Sequence, residues 1–219
     1  MNEPDRLRDS VVDVARRLLA SGLVTGTSGN VSAREGDASS ILITPSGVDY
    51  DAMAPGDLVA IGLDGRVAPG SLVPSVDAPN HLAVYRARPD VGAVVHTHSP
   101  HATAFAIVRR SIPAFHIEAA GYLGGAVRVM DLLPPASPGS GDRLAAALGR
   151  DRAILLPNHG VLAVGETPAA ALHAAQAVED GARYAWIAAM LGDPVSVDDE
   201  EIARLNAFIH QVYGQRRSS

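Results

Sequence analysis

Three of the eight histidines of this chain lie close together in the sequence. The stretch VVHTHSPHA, residues 94–102, contains His96, His98 and His101 directly after an apolar run. Side chains two positions apart on an extended strand point to the same side, so His96 and His98 can bind one ion together. Neutral imidazole suits zinc and other first-row divalent metals. Because the chain contains no Cys, any metal site must be built from His and carboxylate groups.

A third ligand has to come from elsewhere, because catalytic metal sites usually combine three protein ligands with an open position. His159, in LLPNHGVL, also follows an apolar run, and we expect it on a loop at a strand end, where functional residues collect. The alternative is that His96 and His98 are polar groups satisfied by the backbone. The His-x-His spacing together with the later Asn-His-Gly favours the metal site. His101 is expected to support the site or cap a helix rather than bind the ion.

The composition narrows the class of protein. The 219 residues suffice for one domain with a substantial core, and 47% of them are apolar. A net charge of −6 argues against a nucleic-acid partner, since such proteins carry a basic surface. The N-terminus lacks the apolar region of a signal peptide, and no apolar run approaches the length of a membrane span. We therefore expect a cytoplasmic protein with a small-molecule substrate, no membrane contact and no nucleic-acid partner.

The periodicity of apolar residues predicts strands and helices that can position the histidines. Helices are predicted over 5–21, 78–88, 101–108, 141–149, 168–191 with Thr167 as its cap, and 198–214. Strands are predicted over 41–47, 58–63 and 91–96, and a strand, tight turn and strand over 153–165. Residues 26–32 read as a turn, and 111–140 as an irregular segment with a weak strand near 126–130. The prediction is a mixed α/β fold in which helices cover a sheet.

Several segments together resemble the class II aldolase/adducin family, whose enzymes include fuculose-1-phosphate aldolase and ribulose-5-phosphate 4-epimerase. The segments are GLVTGTSGNVSAR, LITPSGVDYDAMAPGDLV, PSVDAPNHLAVYRARPDVGAVVHTHSPHATA and LLPNHGVLAVG. They follow the family order and cover nearly the whole chain. The resemblance implies a single domain over residues 1–219, with a mixed, largely antiparallel sheet flanked by helices. It also implies a homotetramer with active sites between subunits.

The resemblance assigns roles to particular residues. It implies metal ligation by His96, His98 and His159, with zinc as the usual ion, although such sites also accept manganese, cobalt or iron. Asp77 stands where the aldolases have an acid/base Glu and the epimerases an Asp, so it is expected to act as base, as an extra ligand or through a water. The residues that match the family's phosphate site are Thr27, Gly29, Asn30, Ser46, Gly47 and Ser75.

Three departures from the family pattern affect these assignments. The phosphate site usually has two consecutive serines, but here Val76 follows Ser75. The aldolase tyrosine expected after PAFH is replaced by Ile117, and the catalytic Asp of the epimerases is also absent from this region. The YGQ near the C-terminus resembles the epimerase tail. Tyr213 is therefore a candidate acid/base residue that reaches a neighbouring subunit's site, the alternative being an ordinary tyrosine at a helix end.

The predicted function is that of a metal-dependent carbon–carbon lyase that stabilises an enediolate or enolate. Retro-aldol cleavage of a ketose phosphate is the first choice. The second is decarboxylation of a hydroxy, keto or dihydroxyaromatic acid, which the missing serine and tyrosine favour. Epimerisation of a sugar phosphate is third. An adducin-like scaffold without enzymatic activity is the alternative from another class, and the retained histidines speak against it.

Overall fold

The computed structural model describes residues 3–36, 38–132 and 139–212. Its strands are β1 Asn30–Arg34, β2 Ser40–Ile43, β3 Val59–Gly62, β4 Ala93–Thr97, β5 Ala153–Leu156 and β6 Gly160–Gly165. Its α-helices are α1 Glu3–Ala20, α2 Ala78–Ala87, α3 Pro100–Ile107, α4 Ile117–Leu123, α5 Ser140–Leu148, α6 Pro168–Leu191 and α7 Asp199–Gln211. A short 3-10 helix spans Pro55–Asp57. In the described ranges, none of the helices combines the length and the apolar character that a membrane span requires.

The strands form one sheet in the order β3-β2-β1-β4-β6-β5, and every neighbouring pair is antiparallel. The buried strand β4 lies near the middle, and its neighbouring residues face opposite sides of the sheet. Val95 belongs to the core cluster beneath α1 and α6, whereas Val94 belongs to the cluster beneath α2 and α5. Helices therefore cover both faces, which confirms the predicted α/β fold.

Two elements were missed by the sequence prediction. β1 begins inside the segment 26–32, which was predicted to be a turn. The strand was missed because its side facing α2 carries polar residues, so the segment lacks an apolar run. α4 lies in the segment predicted to be irregular, where a His116 cap and a left-handed Gly124 bound a helix of only seven residues. The weak strand predicted near 126–130 is wrong, because that segment makes only isolated bridges, from Val127 to Ile112 and from Val129 to Leu155.

The remaining differences concern element ends. The strands predicted over 41–47 and 58–63 end at Ile43 and Gly62, and Pro45 makes only an isolated bridge to Pro74. The last helix was predicted to reach residue 214, but α7 ends at Gln211, and residues 213 and 214 lie outside the described part of the chain.

Candidate active site

The end of β4 and the turn between β5 and β6 bring three histidines together. His96 is the fourth residue of β4, His98 follows the strand directly, and His159 lies in the turn just before β6. The turn fits against β4 because residue 160 is glycine. A Cβ there would lie 2.1 Å from the carbonyl oxygen of Thr97, which no other residue could tolerate. The antiparallel pairing of β4 with β6 therefore places His159 beside the other two histidines.

The geometry of the three imidazoles suits a divalent ion. The Nε2 atom of His96 lies 3.0 Å from that of His98 and 3.2 Å from that of His159. Tetrahedral metal–nitrogen bonds of about 2.0–2.1 Å place neighbouring ligand atoms about 3.3 Å apart. The spacing of the nitrogens thus matches a shared ion, and His101 is not part of the cluster.

The hydrogen bond made by Nδ1 of His96 leaves its Nε2 atom available to bind a metal. The Nδ1 of His96 donates to the carbonyl oxygen of Val161 at 2.8 Å, because a carbonyl can only accept. Burial lowers the pKa of His96 to about 3, so its ring is neutral and Nε2 carries a lone pair. Burial also lowers the pKa of His98. His159 is exposed, which leaves one side of the cluster open to a substrate. This donor set fits zinc, manganese, cobalt or iron.

A carboxylate lies next to the histidines. Asp77 precedes α2 as its N-cap residue but makes no side-chain capping bond. Its Oδ2 instead accepts a hydrogen bond from Asn30 Nδ2 at 2.8 Å and lies 3.8 Å from His96 Nε2. Burial alone would raise the pKa of Asp77, but the hydrogen bond from Asn30 stabilises the carboxylate, and the pKa lies below its ordinary value. Asp77 is therefore an ionised carboxylate beside the histidine cluster.

Only some of the residues predicted to bind phosphate lie close together. The backbone N–H of Asp77 donates to Ser75 Oγ at 3.3 Å, and a bridge between residues 45 and 74 brings Ser46 near Ser75. The N–H groups of Ser46 and Ser75 donate to the carbonyls of Val73 and Thr44, so these two residues can offer only their hydroxyls. Gly47 is exposed beside Ser46.

The glycine-rich turn before β1 is held tightly on one side. Gly29 has a φ of +73°, and a Cβ there would lie 2.7 Å from the His96 carbonyl oxygen. The buried Tyr50 hydroxyl donates to the Gly29 carbonyl at 2.7 Å, and burial raises the pKa of Tyr50 to about 12. Thr27 is exposed in this turn. The turn thus packs directly on the strand that carries the histidines.

Two other predicted residues lie apart from the cluster. The Nδ1 of His101 lies 2.7 Å from Glu179 Oε1, and the same carboxylate accepts the backbone N–H groups of His101 and Ala102. Glu179 therefore closes the N-terminus of α3, and the His101 ring contacts this carboxylate rather than the histidine cluster. Tyr213 lies outside the described residues.

Sequence reasoning missed a polar chain beside the site. Ser32 Oγ lies 2.7 Å from His81 Nδ1 and 2.9 Å from the Tyr85 hydroxyl, and all three residues are buried. The signal was present, because polar residues alternate along NVSAR and recur every fourth position from Asp77 to Tyr85. It was not used because β1 was not recognised as a strand.

Several known proteins are similar to this chain over most of its length. The chain is 37% identical over 199 residues to the 5-methylthioribulose-1-phosphate/5-deoxyribulose-1-phosphate aldolase of Rhodospirillum rubrum, covering 91% of this chain and 89% of the relative. It is 36% identical over 202 residues to the L-fuculose phosphate aldolase of Escherichia coli, covering 92% and 93%. It is 37% identical over 194 residues to an L-ribulose-5-phosphate 4-epimerase of Salmonella paratyphi B, covering 84% and 85%.

A similar solved structure and a match to a protein family agree with these sequence similarities. A solved L-fuculose 1-phosphate aldolase superposes with a TM-score of 0.88 at 30% identity, covering 94% of this chain and 96% of that one. Residues 9–186 match the family described as the class II aldolase and adducin N-terminal domain. The chain belongs to the class II aldolase and adducin N-terminal domain family.

Proposed function

We propose that this chain is a divalent-metal-dependent carbon–carbon lyase that cleaves a ketose phosphate by a retro-aldol reaction. The observation that carries the proposal is the convergence of three imidazole Nε2 atoms beside the ionised carboxylate of Asp77. Relatives that are named as aldolases of sugar phosphates support the choice of reaction. We propose His96, His98 and His159 as the ligands, with zinc as the ion of first choice.

An ion held there would supply Lewis acidity, which favours the negative charge that develops on the substrate oxygens when the carbon–carbon bond breaks. The three imidazoles would hold the ion at the end of β4 and the start of β6, and the exposed His159 leaves an approach for the substrate. In the cleavage direction the hydroxyl next to the scissile bond loses its proton, the bond electrons enter the enediolate, and an aldehyde leaves. A proton then returns to the carbon that carried the bond.

Asp77 is the group that we propose for one of these proton transfers. Its lowered pKa keeps the carboxylate ionised near neutral pH, so it can accept a proton. The hydrogen bond from Asn30 fixes one carboxylate oxygen on the side of His96. We propose Tyr213, supplied by a neighbouring subunit of a homotetramer, for the opposite transfer.

We propose that the substrate phosphate binds at the hydroxyls and turns around Ser75. The residues proposed for this site are Thr27, Gly29, Asn30, Ser46, Gly47 and Ser75. Val76 stands at its edge with its side chain 82% exposed, so one hydroxyl donor of the family pattern is replaced by an apolar surface.

That apolar surface favours a second candidate function. Decarboxylation of an unphosphorylated hydroxy, keto or dihydroxyaromatic acid also proceeds through a stabilised enolate. Such a reaction does not require a phosphate-binding site. Val76 would contact the body of such a substrate, where a phosphate would instead need a hydrogen-bond donor. Epimerisation, the activity named for one relative, is the third candidate. It ranks below the other two because the catalytic Asp of the epimerases, expected in α4, is absent.

The experiment is a substrate screen of the zinc-loaded protein. Ketose 1-phosphates and hydroxy acids are supplied separately, and aldehyde and carbon dioxide are followed in parallel. Aldehyde release that is lost in His159→Ala and kept in the matched control His173→Ala supports the aldolase. His173 is a suitable control because it is an exposed histidine of α6, away from the cluster. Carbon dioxide without aldehyde would move the assignment to decarboxylation.

A further inference from the structure

The helix α3 ends in a backbone motif in which glycine is the usual residue. The N–H of Arg110 donates to the Phe105 carbonyl at 3.1 Å. The N–H of Arg109 donates to the Ala106 carbonyl at 3.4 Å. This pair of bonds is that of a Schellman motif, in which the residue after the helix cap takes a left-handed conformation. Arg109 stands at that place with a φ of +57°, which is unfavourable for a residue with a Cβ.

The turn that carries His159 contains a second left-handed residue. The N–H of His159 donates to the Leu156 carbonyl at 3.0 Å and closes a four-residue turn. Pro157 is the second residue of this turn, and Asn158 is the third, with a φ of +54°. Proline followed by a residue of positive φ is the pattern of a type II turn. The direction in which His159 leaves the turn therefore depends on the conformation of Asn158.

These two left-handed residues contact each other although they are 49 positions apart in the chain. The guanidinium of Arg109 donates to the side-chain oxygen of Asn158. The Ala106 carbonyl accepts the N–H of Asn158 at 3.4 Å, as it does the N–H of Arg109. The end of α3 is thus joined to the turn by a side-chain bond and by a shared carbonyl. Left-handed conformations of residues other than glycine persist where their surroundings hold them, and they are frequent at functional sites.

His159 is the candidate ligand whose position depends most on its backbone. His96 is buried, and its Nδ1 is held by the Val161 carbonyl at 2.8 Å. His98 is half-buried, whereas His159 is exposed. A change of conformation at the preceding residue would move the Nε2 of His159 away from the other two nitrogens. Groups that orient a ligand raise metal affinity, so the contact at Asn158 bears directly on the site.

We propose that Arg109 is a positioning residue for the metal ligand His159. Its guanidinium holds the side chain of Asn158, and with it the turn, in the conformation that brings His159 to the other two histidines. Glycine would end α3 with a more favourable backbone, but it could not reach the turn. The inference rests on the proposed function, because it concerns a ligand of the proposed metal ion.

The substitution Arg109→Gly separates positioning from general structural support. It removes the guanidinium and relieves the left-handed backbone, so the Tm of the zinc-free protein is expected to stay the same or to rise. The zinc Kd, measured by competition with a chelating dye, is expected to increase about three- to tenfold, because His159 is less firmly held. Loss of a positive charge beside a cation would by itself lower the Kd, so the two effects differ in sign.

Two further variants are the controls. Arg110→Gly removes the same charge from the adjacent exposed position, and its zinc Kd is expected to equal that of the wild type or to fall below it. Asn158→Gly removes the acceptor but tolerates the positive φ. If both residues act through one contact, Asn158→Gly raises the Kd as much as Arg109→Gly does, and the double variant is no weaker than either. Additive effects, an unchanged Kd in Arg109→Gly or an equal increase in Arg110→Gly would overturn the proposal.

The hold on the turn is also measured without metal or substrate. The His159 N–H is bonded within the turn, so its exchange with solvent hydrogen, followed by NMR, reports opening of the turn. In the chelator-treated full-length protein, this exchange is expected to be about three- to tenfold faster in Arg109→Gly and unchanged in Arg110→Gly. Equal exchange in Arg109→Gly and the wild type would refute the inference. If the wild type binds no zinc, the proposed function fails, whereas the exchange rates still decide whether Arg109 holds the turn.

Discussion

Burial of His81 makes a prediction about stability and pH. The pKa of His81 is lowered by burial from 6.5 to about 4 in the folded chain, so the folded state stays neutral while the unfolded chain takes up a proton below 6.5. The unfolded state therefore binds more protons between these values, and the free energy of unfolding decreases as pH falls. The contribution is complete above pH 6.5 and is lost as pH approaches 4.

The magnitude follows from the same two values. A pH of 5 lies about 1.5 units below the pKa of His81 in the unfolded chain. This difference corresponds to about 2 kcal/mol of lost stability. His81→Gln removes the titrating group but leaves the other histidines in place. The stability difference between wild type and His81→Gln is therefore expected to shrink by about 2 kcal/mol between pH 7 and pH 5.

The assay is urea unfolding of both proteins at the two pH values, after chelator treatment and at one protein concentration. Chelation and equal concentration matter because metal binding and subunit assembly would otherwise change the apparent stability. Groups common to both proteins, including the buried His96, cancel in the difference. A stability difference that is the same at pH 7 and pH 5 would refute the account of His81 as a buried neutral residue.

Three further predictions concern the site. Asn30→Ala removes the hydrogen bond to Asp77 and is expected to lower kcat about 10- to 100-fold with unchanged metal content, as steady-state kinetics and metal analysis would show; equal kcat would contradict it. Val76→Ser adds a hydroxyl at an exposed position and is expected to lower the KM for a ketose phosphate about fivefold, but not that for an unphosphorylated acid. Gly29→Ala forces a Cβ to within 2.7 Å of the His96 carbonyl, and a loss of about 2 kcal/mol should appear as a lower Tm; an unchanged Tm would count against the tight packing of this turn.

The sequence predicted the parts of the site that depend on local spacing. His96 and His98 sit two residues apart at the end of an apolar run, and strand geometry alone aligns them. The contact with His159 depends on which strands are neighbours, because the pairing of β4 with β6 brings His96 and His159 together although they are 63 residues apart in the chain. Such long-range pairing is not encoded in periodicity. His159 was selected because it also follows an apolar run, and the resemblance to a family supported that choice.

The elements that the sequence did not predict share a physical cause. β1 carries Asn30 and Ser32 on its α2 side, so its polar residues read as a turn although they are buried. α4 contains Gly121, which packs closely against Leu205 of α7 and weakens the helical pattern of a short segment. In both cases tertiary contacts favour a structure that local propensity does not. The contacts of Ser32 with His81 and Tyr85 were overlooked for the same reason, because they exist only once β1 lies against α2.

The metal content of the purified protein and its histidine variants tests the central claim most directly. The wild type and the control His173→Ala are expected to bind a single divalent ion per chain after loading with zinc and dialysis. His96→Ala and His159→Ala are each expected to lose it, because two imidazoles provide too few ligands. If both variants retain the ion as fully as the wild type does, the three histidines are not its ligands and the account of the site is contradicted.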